Sequence, residues 1–192
     1  MKIPPTVCLP LRFDPERLAD DLRKVAAEEW VPHFNTQYYE GDWSVVSLRS
    51  TSGSASQIYP NPTINTYLDT PVLARCGYYQ QVLASFQCPL LAVRFLQLGA
   101  GSRIREHTDL NLGYEDGEIR IHVPVLTNPA VEFYLAGERI ALNEGEAWYL
   151  NLNLPHRVLN MGTSSRVHLV LDCVVNDWVR AMLEQVVGRG QA

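Results

Sequence analysis

Two spacings of apolar residues divide the chain. Before residue 90 they recur at three and four, and from Leu90 onward they alternate at two. A short β-like piece, Val7 to Arg12, comes first. Asp14-Pro15 then reads as a helix cap followed by proline at the first helical position. Leu18, Leu22 and Val25 continue that helix to about Glu29. Residues 41–48 read as a strand, and 49–70 as a long polar loop dotted with serine, proline and asparagine. Val72, Cys76, Tyr79, Leu83 and Phe86 predict one amphipathic helix. The period-two region then offers strands at 90–98, 103–109, 118–126, 130–135, 138–141, 146–151, 156–160 and 166–175. Glycine-bearing turns separate most of them, such as Glu115-Asp116-Gly117, Ala136-Gly137 and Asn143-Glu144-Gly145. Asn176 caps a last helix carrying Val179, Met182, Leu183 and Val186, with Gly188 as its expected stop.

Short strands at that spacing, flanked by helices, predict a mainly β sandwich or barrel with helices packed outside. One domain over 1–192 is expected: a helical and loop part to 89, a β core over 90–176, and a C-terminal helix and tail over 177–192. The strand over 166–175 shows how the layers should meet. Val167, Leu169, Leu171 and Cys173 fall on one face, and Arg166, His168, Val170 and Asp172 on the other. The first face suits helices; the second needs polar company, as in a barrel interior that binds a ligand.

Composition narrows the classes. Of 192 residues, 46% are hydrophobic and 19% charged, which excludes global disorder. Sixteen Lys and Arg against 21 Asp and Glu give a net charge of −5, with no overall drive toward nucleic acid or an anionic bilayer. No apolar run approaches the ~20 residues of a membrane span. Cys8, Cys76, Cys88 and Cys173 are far apart and form no C-x-x-C, and no leader is apparent, so a reduced cytoplasmic chain is expected.

The chemistry-bearing residues gather in the β region. His107-Thr108-Asp109 is an H-x-D, whose two side chains share one face of a strand and can grip one metal ion. His156 follows 49 residues later. Together they supply two imidazoles and a carboxylate on one side of a metal, the set that suits non-haem Fe(II). H-x-D alone also arises on ordinary polar sheet faces. Arg166 stands on the inward face of its strand, where a buried guanidinium needs an anion. Either a ligand carboxylate or an internal one such as Asp172 could serve. Arg120 and His122 share a face of their strand, and Arg94 interrupts an otherwise apolar run.

The series His107-Thr108-Asp109, Arg120-Ile121-His122, Leu154-Pro155-His156-Arg157-Val158-Leu159-Asn160 and Arg166-Val167-His168 resembles the aspartyl/asparaginyl β-hydroxylase family. These are Fe(II)- and 2-oxoglutarate-dependent dioxygenases, and they include bacterial proline hydroxylases. The motif-bearing resemblance covers residues 90–178. It implies a double-stranded β-helix, or jelly roll, with iron inside. His107 and His156 would be the iron-binding histidines, with Asp109 as the carboxylate ligand. Arg166 would take the distal carboxylate of 2-oxoglutarate, and Arg120, His122 and His168 would line the cosubstrate pocket. The animal aspartyl hydroxylase has glycine where Asp109 stands here. The segment between His107 and Arg120 is lengthened by Gly113-Tyr114-Glu115-Asp116-Gly117.

That resemblance implies O2 as co-reactant, succinate and CO2 as co-products, and hydroxylation of an amino acid or peptidyl side chain. Loop 49–70, with Arg49 and Tyr59, is the expected lid. Arg49, Arg94, Arg103 and Arg105 are the candidates for gripping a substrate carboxylate. The competing expectation is a non-catalytic jelly roll, a cupin-like metal sensor or small-molecule binding module.

Overall fold

Glycine turns and proline breaks cut this chain into many short elements, and a computed structural model describes residues 3–59, 64 and 66–189 of it. The first half supplies β1 (Thr6–Arg12), α1 (Pro15–Leu22), β2 (Val31–Pro32), β3 (Tyr39–Glu40), β4 (Trp43–Ser50), β5 (Leu68–Asp69), α2 (Pro71–Arg75) and α3 (Gly77–Ala84). The second supplies β6 (Leu90–Leu98), β7 (Ser102–His107), β8 (Glu118–Leu126), β9 (Val131–Leu135) and β10 (Glu138–Ile140). It closes with β11 (Glu146–Leu150), β12 (His156–Asn160), β13 (Arg166–Val174) and α4 (Asp177–Arg189).

The strands form two antiparallel sheets. The larger runs β1-β11-β8-β13-β6-β4-β2, with β5 paired to β4, and the smaller runs β10-β9-β12-β7-β3. The architecture is mainly β, a double-stranded β-helix. One core lies between the large sheet and the helices, and holds Val167, Leu169, Leu171 and Cys173 with Tyr79, Val179 and Leu183. A smaller apolar cluster fills the space between the sheets around Trp43, Leu98, Phe133 and Leu150. Strand β13 is buried along both faces from Arg166 to Cys173, so its polar residues do face the interior. No helix among the described residues is long and apolar enough to cross a membrane.

Several elements differ from the periodicity reading. The first helix ends at Leu22, and only a 3-10 turn forms at Ala27–Glu29. The expected helix over 72–86 is two helices that break at Cys76, with φ −104° and ψ 76°. The cause is distant in sequence: the Asp21 carboxylate of α1 accepts from the N–H groups of Tyr78 (2.6 Å) and Tyr79 (3.3 Å), capping α3. Gly188 does not stop the last helix, which continues through Arg189. Asn176 does cap it, accepting from Val179 N–H at 3.0 Å. The 49–70 excursion is shorter than expected, because β4 extends to Ser50 and the ladder pairs Arg49 with Asp69 and Ser50 with Leu68. Residues 60–63 and 65 of that expected lid lie outside the described residues.

Gly145 shows why one of the turns needs glycine. Its φ is +76°, and a Cβ there would lie 2.2 Å from the Phe13 carbonyl oxygen. The close approach lets Phe13 N–H donate to Gly145 at 2.8 Å, which ties the segment after β1 to the β11 turn.

Candidate metal centre

The paired strands β7 and β12 bring two distant histidines together. His156 stands opposite His107 in the ladder, and their ring centroids are 4.2 Å apart. Asp109 follows the end of β7, with its N–H donating to the Leu152 carbonyl at 2.9 Å. One ligand atom from each of His107, Asp109 and His156 lies within 4.8 Å of the others.

The hydrogen bonds behind these groups leave the metal-facing atoms free. His107 Nδ1 donates to the Arg105 carbonyl (2.8 Å) and His156 Nδ1 to the Leu154 carbonyl (3.0 Å). A carbonyl can only accept, so Nδ1 carries the proton on each ring and Nε2 keeps its lone pair. Asp109 divides its oxygens similarly. Its Oδ2 accepts from Arg120 Nη1 at 2.8 Å, while Oδ1 lies 3.8 Å from His107 Nε2. Two imidazoles and one carboxylate, each held from behind with one donor atom free, fit a divalent iron ion. Burial pushes the His156 imidazole below its usual range, which favours the neutral form a metal needs.

A cavity of about 430 Å³ opens beside this cluster. Its walls include Arg94, Arg120, His122, Arg166, Trp43 and Phe133. Tyr38 stacks on His107 with centroids 5.0 Å apart. Arg166 is 2% exposed and makes no ion pair among the described residues. Its Nε has no hydrogen-bond partner among them, and desolvation brings the guanidinium down to about 9. Among the described residues its one side-chain hydrogen bond is from Nη2 to His168 Nδ1 at 2.7 Å. Asp172, the internal carboxylate that sequence offered it, belongs instead to Arg120 (2.6 and 3.0 Å) and Arg94 (2.5 Å).

The remaining sequence candidates divide. His122 lines the metal cavity, whereas His168 lines a neighbouring one. Arg94 lines the metal cavity with its charge already balanced by Asp172. Arg49 and Tyr59 line a third cavity of about 450 Å³, which shares Arg94, Leu110, Leu112 and Arg120 with the metal cavity. Arg49 is engaged by the Asp69 carboxylate and the Tyr67 and Leu90 carbonyls, and Tyr59 packs on Phe34 at 4.7 Å. Arg103 and Arg105 sit on the outer face of β7, both bound to Glu40. Asn160 is wholly buried away from the cavity. Its amide is shared among the Leu98, Gly99 and Ser164 carbonyls, which makes it a clasp between strands. The lengthened segment folds as a 3-10 turn, pinned by Asp116 to Gly113 N–H (3.0 Å) and to Asn153 Nδ2 (2.6 Å).

Several wall residues escaped the sequence reading, His33, Tyr38, Trp43 and Phe133 among them. His33 stacks on Trp43 with centroids 3.5 Å apart, and both line the cavity. Trp43 Nε1 is buried without a hydrogen-bond partner among the described residues. His33 lies outside the elements read from sequence, and Trp43, though inside the strand read over 41–48, belongs to no motif that marks a site.

A jelly roll carrying two histidines, a carboxylate and a buried unpaired arginine defines the class. The chain belongs to the aspartyl/asparaginyl β-hydroxylase family, whose model matches residues 13–175. An L-proline cis-4-hydroxylase from Rhizobium meliloti (strain 1021) is 24% identical over 181 residues. That match covers 92% of this chain but 63% of the relative, so the chain spans under two thirds of its length. A 2OG-Fe(II) oxygenase-family oxidoreductase from Burkholderia pseudomallei superposes with a TM-score of 0.56 at 17% identity, over 88% of this chain and 85% of its own. A Pseudomonas putida prolyl-4-hydroxylase gives 0.53 at 15%, over 90% and 93%. At these identities the likeness is one of fold.

Proposed function

We propose that this chain is an Fe(II)- and 2-oxoglutarate-dependent dioxygenase. It hydroxylates an unactivated C–H bond of an amino acid or peptidyl side chain and releases succinate and CO2. The observation that carries this reading is Arg166, a buried cation without a carboxylate partner among the described residues, in the wall of the cavity that holds His107, Asp109 and His156. A buried unpaired charge costs several kcal/mol, roughly, and an anionic ligand relieves that cost. A metal sensor would have no use for it.

Bound iron, 2-oxoglutarate and O2 supply the oxidative chemistry. The chain's residues hold and orient. His107 and His156 present Nε2, and Asp109 presents Oδ1. Arg166 neutralises the distal carboxylate of the cosubstrate. His33, Trp43, Tyr38 and Phe133 wall the cavity with rings, which limits water and favours a compact substrate. A relative named for L-proline hydroxylation puts free cyclic amino acids first among candidates.

The test is anaerobic. Fe(II) followed by 2-oxoglutarate should give a metal-to-ligand charge-transfer band, absent in His107→Ala and His156→Ala. Absence of the band in the unaltered protein would overturn the reading. Under air, free proline, related amino acids and short peptides are then screened, with succinate and hydroxylated product both measured.

A further inference from the structure

His122 and His168 join two cavities. His122 lines the metal cavity, and His168 lines a larger one of about 640 Å³ bounded by residues 127–129 and 139–144. Arg166 lines both. All three side chains are buried, at 4%, 1% and 2% exposure. His122 Nδ1 and His168 Nδ1 face each other at 3.2 Å, and Arg166 Nη2 approaches that same His168 Nδ1 at 2.7 Å.

Donor and acceptor rules assign the protons. A guanidinium nitrogen only donates, so His168 Nδ1 holds a lone pair and its proton sits on Nε2. Two lone pairs facing each other at 3.2 Å would repel. His122 Nδ1 therefore carries the proton and donates. His122 Nε2 is then a bare acceptor, buried without a partner among the described residues. Withdrawing Arg166 from His168 removes the constraint. The opposite pair of tautomers then becomes available, with His168 Nδ1–H donating to His122 Nδ1 and a proton on His122 Nε2.

We propose that His168 is a positioning residue that transmits the occupancy of Arg166 to His122, and so sets whether His122 accepts or donates toward the metal cavity. The exchange is neutral. One proton passes from His122 Nδ1 to His168 Nδ1, one leaves His168 Nε2 to water, and one is taken up at His122 Nε2. The anion on Arg166 is taken from the cosubstrate reading above, on which this proposal rests. The proton assignment in the free protein stands apart from that reading.

The experiment uses the full chain, metal-free and 15N-labelled at histidine, with tautomers read from long-range proton–nitrogen correlations. The free protein should show His122 as Nδ1–H and His168 as Nε2–H. Saturating succinate should shift His122 toward Nε2–H, and Arg166→Met should populate that form with no ligand added. In His168→Phe, succinate should leave the His122 tautomer unchanged. Two results overturn the proposal: Nε2–H at His122 in the free protein, or pure Nδ1–H in both Arg166→Met and the succinate complex. If calorimetry finds no binding of succinate or 2-oxoglutarate, the cosubstrate reading falls, while the Arg166→Met spectrum still decides the relay.

Discussion

Arg120 holds Asp109 from behind, with Nη1 donating to Oδ2 across 2.8 Å. Its other edge is clamped by Asp172, which also takes Arg94. The four groups balance in charge, and they fix the orientation of Asp109, a candidate metal ligand on a loop just past a strand end. Replacing Arg120 with Gln should free Asp109 to rotate. Metal affinity, read by Co(II) or Fe(II) titration, should fall about 10–100-fold, the usual effect of losing the partner behind a ligand. An unchanged affinity would show that Asp109 needs no such support.

Asp172→Asn acts on the same cluster through stability. It leaves Arg94 and Arg120 buried together, with Asp109 as the remaining ion-pair partner of Arg120 among the described residues. Breaking a buried pair from one side costs about 3–5 kcal/mol. Urea denaturation of the metal-free protein should show a loss of that size, and a loss under about 1 kcal/mol would mean that water reaches the cluster.

These residues mark how far sequence reaches. Strands 90–98, 118–126 and 156–160 were legible to the residue, because alternation and turn chemistry act locally. Placing Arg166 on an inward face was also a local inference. Its lack of a partner was not, since that depends on Asp172 being shared by Arg94 and Arg120 from two neighbouring strands. The break at Cys76 was hidden for the same reason, its cap coming from Asp21 on another helix. Arg49 looked free in the sequence because nothing there shows that β5 returns Asp69 beside it.

Arg166→Met should separate stability from function. Among the described residues no carboxylate pairs with this charge, and an apolar chain of similar length removes the desolvation cost. The variant should be more stable by about 1–3 kcal/mol. It should also lose the stabilisation that 2-oxoglutarate gives the parent, which is about 2.7 kcal/mol at a hundred times Kd. Paired thermal melts with and without 2-oxoglutarate read both effects. A variant still stabilised by the ligand would remove Arg166 from its assigned role.

The buried histidines make a pH prediction whose sign follows from their surroundings. Burial first, then Arg94, brings His33 down to about 4. Burial, then Arg166, holds His122 and His168 well below their usual value, and burial also lowers His156. In the unfolded chain each titrates near 6.5. Below that pH the unfolded state binds protons that the folded state refuses, so stability is complete above 6.5 and falls as the pH drops. For His33 the loss continues to about 4. Well inside that window each histidine removes about 1.4 kcal/mol per pH unit. Urea midpoints of the metal-free protein should therefore fall steeply between pH 6.5 and 5. His33→Phe keeps a ring against Trp43 and should flatten the slope by nearly one proton. A parent slope below one proton at pH 5 would mean that these imidazoles are reached by water and charge in place.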